Sequence, residues 1–197
     1  MKEKREKKIK NSTLILENIP NFLSIARIFL TFVVIYMIFT NERIFITVVV
    51  FSIAAITDFL DGKIARKFKW ESEFGRKLDI LADRFLWAGT ALAFLIAFGL
   101  EGRLNWVSGI QLLMIMTREI IAAPFALMSF FSSKKIPNAV YIAKITTFIQ
   151  GFALPALILS VYYHPWIFLS IPLAIACAIT GFLSALRYIH DLKEMEK

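Results

Sequence analysis

The sequence predicts an all-α integral membrane protein with six transmembrane helices, on three observations. Of its 197 residues 58% are hydrophobic and the mean hydropathy is +0.66, well above the usual range of a soluble domain. The apolar residues fall in runs close to the ~20 residues that a bilayer core demands of a helix. The charges gather between those runs, 23 Lys and Arg against 15 Asp and Glu, for a net charge of +8. In a soluble chain that excess would point to nucleic acid. At the ends of apolar segments it points to anionic lipid and to control of topology instead, so membrane lipids are expected as partners and nucleic acid is not.

Residues 1–10 carry six Lys or Arg and two Glu, without the apolar run or small-residue cleavage site of a signal peptide. Residues 11–18 either form a short amphipathic helix on the membrane surface or prolong a solvated basic tail. Residues 1–18 are therefore a basic cytoplasmic or interfacial segment, and 19–197 the membrane domain. Pro20 suits the first turn of a helix, which opens a first span over residues 22–40. Asn41, Glu42 and Arg43 make a turn, and a second span over 44–60 runs straight into a group of acidic residues. Lys63, Arg66, Lys67, Lys69, Arg76 and Lys77 crowd the next turn before a third span over 78–100. A turn at 99–105 leads to a fourth span over 106–131, interrupted by Arg118, Glu119 and Pro124. The basic loop 132–138 precedes a fifth span ending near 163 and a sixth over 166–190.

Six spans put both termini on one side. The N-terminal tail, the 63–77 turn, the 132–138 loop and the C-terminal tail hold most of the Lys and Arg, whereas the other turns hold only Arg43 and Arg103. The positive-inside rule then makes both termini cytoplasmic, in a plasma membrane. Cys177 is the only cysteine and sits in an apolar run, which fits a packed thiol. His164 and His190 lie far apart, at expected membrane edges, so no Cys/His metal site is expected. No internal repeat is visible.

Chemistry concentrates between Asp58 and Asp83. Asp58, Asp61, Gly62, Ala65 and Arg66 recur at helical spacing and share one face, and Gly75, Asp79 and Asp83 follow at i+4 steps on a second helix. Two helix ends joined by a basic turn would point four carboxylates into one space. Carboxylates so placed repel one another and are costly near hydrocarbon, so a cation is required, and a divalent metal is expected. Charges inside spans are functional candidates by default. Arg27, Arg118, Glu119 and Lys144 would line a cationic cavity beside the aspartates, suited to a phosphate-bearing substrate. The structural alternatives are an interhelical ion pair for Arg118 with Glu119 and snorkelling to the interface for Arg27.

The pattern Asp58-x2-Asp61-Gly62-x2-Ala65-Arg66-x8-Gly75-x3-Asp79-x3-Asp83 resembles the signature of the CDP-alcohol phosphotransferases, membrane enzymes that make phospholipids, and all eight fixed positions are present. IPNFLSIARI from Ile19, TREI from Thr117 and AKITTFIQ from Ala143 resemble segments of the family's phosphatidylglycerophosphate synthases and of related cardiolipin synthases. The resemblance implies a two-metal site of Mg2+ or Mn2+ held by Asp58, Asp61, Asp79 and Asp83. It implies that Gly62, Ala65 and Gly75 leave room for the cytidine of CDP-diacylglycerol, or of CDP-archaeol in an archaeon, and that Arg66 contacts phosphate. Asp83 would take the proton from the acceptor hydroxyl, CMP would leave, and the enzyme would be a homodimer.

For the acceptor the resemblance implies glycerol 3-phosphate, held by Arg118 and Lys144 with Lys134 and Lys135 nearby. Ala126 stands where these synthases carry a second arginine, which brings in phosphatidylglycerol, as in cardiolipin synthesis. Arg84, directly after Asp83, resembles the inositol-phosphate enzymes of the family. Two other classes fit less well. Intramembrane prenyltransferases divide their aspartates between distant segments, and an ion transporter would place them at the midplane with internal symmetry.

Overall fold

The apolar runs fold as helices in the computed structural model, which describes residues 19–41, 43–68, 73–121 and 141–195, with the backbone alone at 19–20, 58–68, 73–74, 76–77, 141, 188 and 191–195. The basic segment 1–18, Pro124, Ala126 and the 132–138 loop with Lys134 and Lys135 lie outside the described residues, and so do the side chains of Asp58, Asp61, Ala65 and Arg66. The helices are α1 (Ile19–Thr40), α2 (Ile44–Phe68), α3 (Glu73–Leu100), α4 (Trp106–Ile115), α5 (Tyr141–Tyr162) and α6 (Ile167–Met195), with a 3-10 turn at His164–Trp166. Among the described residues the structure is all-helical, and four stretches are long and apolar enough to cross a membrane: Asn21–Thr40, Leu78–Leu100, Ile142–Tyr162 and His164–Arg187. The apolar parts of α2 and α4 are shorter, Ile44–Thr57 and Trp106–Ile115. In α2 the apolar run ends at Asp58, and α4 is interrupted.

Two helix limits differ from the hydropathy reading. Helix α2 continues to Phe68 and α3 begins at Glu73, so Lys63, Arg66, Lys67, Arg76 and Lys77 are helical, and of the six basic residues only Lys69 falls between the helices, outside the described residues. Arg and Lys are good helix formers, and no proline falls between 61 and 77 to stop either helix. Hydropathy marks where a helix leaves the apolar layer, whereas propensity decides where it ends. Helix α4 breaks at Met116, whose N–H reaches the carbonyls of Leu112 and Met114, and the chain is helical again over 117–121. The Thr117 hydroxyl donates back to Leu113 and Met114, a local competition that bends helices. Buried Gln150 of α5 donates its Nε2 to the Ile115 carbonyl at the break, at 2.7 Å.

Helix α1 packs along both α2 and α3, which make few direct contacts with each other among the described residues. Its buried seam is Ser24, Arg27, Thr31, Val34 and Ile38, and the opposite face shows Phe22, Ile25, Phe29, Phe32, Tyr36 and Phe39. The 3-4 spacing of both sets is that of a helix with one protein face and one lipid face. Helices α5 and α6 form a hairpin, α4 lies against both, and α2 touches α5. Leu154, Leu157 and Ile158 of α5 are fully buried, as are Phe94 and Phe98 of α3.

One end of the bundle is tied by polar contacts between three turns. The Tyr162 hydroxyl donates to Asn41 Oδ1, and Asn41 Nδ2 donates to both carboxylate oxygens of Glu101, at 3.0 and 2.8 Å. Arg103 pairs with Glu101 at 3.4 Å and lies over the Tyr162 ring, 4.8 Å from its centroid. Asn41 has φ +56°, a left-handed conformation that asparagine tolerates better than most residues. Replacing it by alanine removes three hydrogen bonds and strains the turn, at a cost of about 2 kcal/mol. In a chain of this size that lowers the melting temperature in detergent by roughly 4–8 °C. Catalytic rates at lower temperature stay unchanged, because Asn41 is ~20 Å along α1 from Arg27. Asn41→Gly relieves the backbone strain and loses less.

Candidate active site

The aspartates sit within their helices. Asp58 lies ten residues before the end of α2 and Asp83 ten residues after the start of α3, while Asp61 and Asp79 lie seven and six residues from the same ends. At 1.5 Å rise per residue, Asp58 and Asp83 are both ~15 Å along their helices from the joining turn, and Asp61 and Asp79 both ~10 Å. Only four residues, 69–72, separate the two helix ends, so the ends lie within ~17 Å of each other. The expected picture of carboxylates on helix ends is corrected in this respect: they stand about two to three turns inside, at matched counts from the two ends. The backbone places Gly62, Ala65 and Arg66 on α2 between the aspartates and the turn, and Gly75 near the start of α3.

Two of the four carboxylates have described side chains, one turn apart on α3. Arg27 of α1 donates from Nη1 to Asp79 Oδ1 at 2.9 Å, with the arginine side chain fully buried and the aspartate 42% exposed. Arg27 therefore turns inward to a carboxylate and does not reach for the interface. Asp83 Oδ1 accepts a hydrogen bond from Trp87 Nε1 at 2.9 Å. Trp87 is almost fully buried and stacks edge-on against Phe51 of α2, 5.5 Å between centroids, so the donor that aims Asp83 is itself fixed by packing. Gly89 allows the close approach of α1 and α3 here: a Cβ on it would stand 3.2 Å from Ile35 Cδ1.

A second polar group adjoins the first. Arg84, next to Asp83, pairs with Glu119 beyond the α4 break, and Glu119 is 7% exposed. Arg118 Nη1 stands 3.5 Å from Glu119 Oε1 and donates to the Thr147 hydroxyl of α5. The backbone of Arg118 is pressed against α6 at Gly181, where a Cβ would come within 3.1 Å of the Arg118 nitrogen. Lys144, one turn before Thr147, is exposed. The structure thus joins Asp83, Arg84, Glu119 and Arg118 in one continuous region. The alternative reading of Arg118 with Glu119 is an interhelical ion pair; the two instead lie side by side on one segment, 3.5 Å apart, and the pair between elements is that of Glu119 with Arg84.

Sequence reasoning did not give Trp87 and Thr147 roles. Trp87 follows Asp83 at i+4, a signal visible in the sequence. Thr147 is one of many membrane threonines and becomes distinct only once α5 is docked on the α4 break. Among the described residues no group of three His, Cys, Asp or Glu stands together as metal ligands. The donor chemistry of the two described aspartates does fit a hard divalent cation. Both are carboxylates, and each commits one oxygen, Oδ1, to a described protein donor.

A helical membrane bundle with this eight-residue acidic pattern on adjacent helices defines a class of lipid-synthesising transferases: the chain belongs to the CDP-alcohol phosphatidyltransferase family, whose model matches residues 17–182. Members of the family generally depend on a divalent metal. Among its relatives, the CDP-diacylglycerol--glycerol-3-phosphate 3-phosphatidyltransferase of Rickettsia felis is 34% identical over 184 residues, 92% of this chain and 97% of the relative. The protein of that name from Rickettsia typhi is 34% identical over 86% of this chain and 92% of its own length. That from Shigella flexneri is 29% identical over 87% and 93%.

Proposed function

We propose that the chain transfers a phosphatidyl group from CDP-diacylglycerol to glycerol 3-phosphate, releasing CMP and forming phosphatidylglycerophosphate. The observation that carries this reading is the complete acidic motif, set at matched depths on α2 and α3. The relatives, named for these substrates and similar along nearly their whole length, support glycerol 3-phosphate as acceptor and a diacyl donor in place of an archaeal one. The pairing of Arg84 with Glu119 supports the same acceptor, because that arginine is engaged within the protein. Six spans, with both termini and the site cytoplasmic in the plasma membrane, are supported by the positive-inside count. Homodimer formation rests on the family likeness alone.

Asp58, Asp61, Asp79 and Asp83 would hold Mg2+ or Mn2+. A divalent ion held by these carboxylates would supply positive charge to the donor's pyrophosphate and to the departing CMP. Arg27 holds the Asp79 carboxylate in one orientation. Trp87 holds one oxygen of Asp83, and the carboxylate takes the proton from the acceptor hydroxyl. The hydroxyl oxygen then bonds to the lipid-side phosphorus and the bond from that phosphorus to CMP breaks. Gly62, Ala65 and Gly75 admit the cytidine, and Arg66 contacts phosphate. Arg118 and Lys144, with Lys134 and Lys135, draw the acceptor's phosphate to the site.

Purified protein in detergent, given CDP-diacylglycerol, Mg2+ or Mn2+ and one acceptor at a time, releases CMP fastest with glycerol 3-phosphate. Equal or faster release with phosphatidylglycerol or inositol phosphate would overturn the acceptor assignment. Chelation with EDTA stops release, and added Mg2+ or Mn2+ restores it; release that persists in EDTA would remove the metal from the reading.

A further inference from the structure

We propose that Arg84 is a positioning residue: its ion pair with Glu119 ties the half of the bundle that carries the aspartates to the half that receives the acceptor, at the level of Asp83. The proposal rests on the acceptor and base assignments above and gives a role to two charges that those assignments leave without one. Among the described helices the bundle has two halves. Helices α1, α2 and α3 pack together, α4, α5 and α6 pack together, and α3 makes little contact with any of the second three. Apolar packing joins the halves along α2 and α5, and the contacts of Asn41, Glu101 and Tyr162 join them beyond the end of α3. Leu100, the last residue of α3, is 16 residues past Arg84, ~24 Å along the helix. That knot is too far away to set the geometry at Asp83.

The segment after the α4 break belongs to the second half. Gln150 Nε2 donates to the Ile115 carbonyl at the break, Arg118 donates to the Thr147 hydroxyl of α5, and the Arg118 backbone lies against Gly181 of α6. Glu119 projects from this segment and meets Arg84 of α3, the residue that follows Asp83. Glu119 is 7% exposed, and a carboxylate so enclosed is costly unless it is paired. Such a pair adds little net stability, since apolar residues of similar volume often replace it without loss. What it supplies is direction: a charge-assisted hydrogen bond fixes one approach of donor to acceptor, whereas apolar packing has no directional preference. The pair therefore holds the acceptor-receiving segment in one register against the helix that carries the base, so that the acceptor hydroxyl arrives at Asp83.

The test is steady-state kinetics of CMP release with glycerol 3-phosphate and CDP-diacylglycerol varied in turn. Arg84→Gln raises the KM for glycerol 3-phosphate about tenfold, while the KM for CDP-diacylglycerol stays within about twofold. A mere loss of folded molecules would lower kcat and leave both KM values as they were, and that result overturns the proposal. The double variant Arg84→Gln/Glu119→Gln is no more than about twofold worse than the worse single variant, because both changes break one contact. Full multiplication of the two effects overturns the positioning role. If Arg84→Gln does not fold, Arg84→Met/Glu119→Met serves, because it removes the two paired charges together. The same selective rise in the acceptor KM is expected of that protein, and an unchanged acceptor KM refutes the proposal. Wild-type protein that releases no CMP with glycerol 3-phosphate refutes the acceptor reading itself, a result distinct from active wild type with an insensitive Arg84→Gln.

Discussion

Asp83→Asn lowers CMP release by about 10³-fold, within the 10²–10⁴ that a general base contributes, and leaves the melting temperature in detergent nearly unchanged. Asparagine keeps the shape of the side chain and an oxygen that accepts from Trp87 Nε1, so the contact at 2.9 Å survives. What goes is the basicity that takes the proton and one negative charge from the metal-binding set. Asp79→Asn makes the comparison informative, because it also removes the charge that pairs with fully buried Arg27. Breaking a wholly buried pair costs ~3–5 kcal/mol. With Asp79 half open to solvent, about 1–3 kcal/mol is the reasonable share, visible as a lowered melting temperature. Asp83→Asn is thus inactive and stable, and Asp79→Asn inactive and less stable. An Asp83→Asn protein that keeps a tenth or more of wild-type activity would show that the proton goes elsewhere.

The division between these two aspartates marks how far the sequence could be read. Hydropathy and charge located the apolar runs, and i, i+4 spacing put Asp79 and Asp83 on one helical face, because both depend only on local periodicity. The position of the aspartates within their helices is not legible from hydropathy. The charges from Lys63 to Lys77 read as a turn, although Lys and Arg also prolong helices, and α2 and α3 run on beyond the apolar layer. Partners across helices were mostly beyond reach. Arg27 finds Asp79 52 residues away, and Arg84 finds Glu119 35 residues away. Such pairs follow from α1 lying against α3 and from the docking of the segment after α4, which no local pattern encodes. The contact of Arg118 with Glu119 is between neighbours in sequence and so is visible locally, whereas the interhelical pair expected for them is made by Glu119 with Arg84 instead. Arg84 went unconnected because its partner lies on another element.

Gly181→Leu lowers kcat/KM for glycerol 3-phosphate by about 100-fold, although residue 181 touches no substrate in the proposed reaction. A Cβ at this position would stand 3.1 Å from the Arg118 nitrogen, 3.3 Å from its Cβ and 3.5 Å from its Cα. The first of these is backbone, which cannot swing aside as a flexible side chain would, so the two segments must separate. Alanine requires a few tenths of an ångström and costs activity a few-fold. Leucine places a branched side chain in the same contact and moves Arg118 by ~1 Å, a misplacement that can cost 10²-fold in a positioned site. Overpacking adds about 1–3 kcal/mol of instability, so rates are compared well below the melting transition. The loss falls on the acceptor and spares the KM for CDP-diacylglycerol, since the aspartates of α2 and α3 do not rest on Gly181. Gly151→Ala is the control, because a Cβ there meets nothing within 4 Å. It retains activity and gains up to ~1 kcal/mol from the better helix former. Wild-type acceptor kinetics in Gly181→Leu would mean that the segment carrying Arg118 and Glu119 is not held by α6 during turnover.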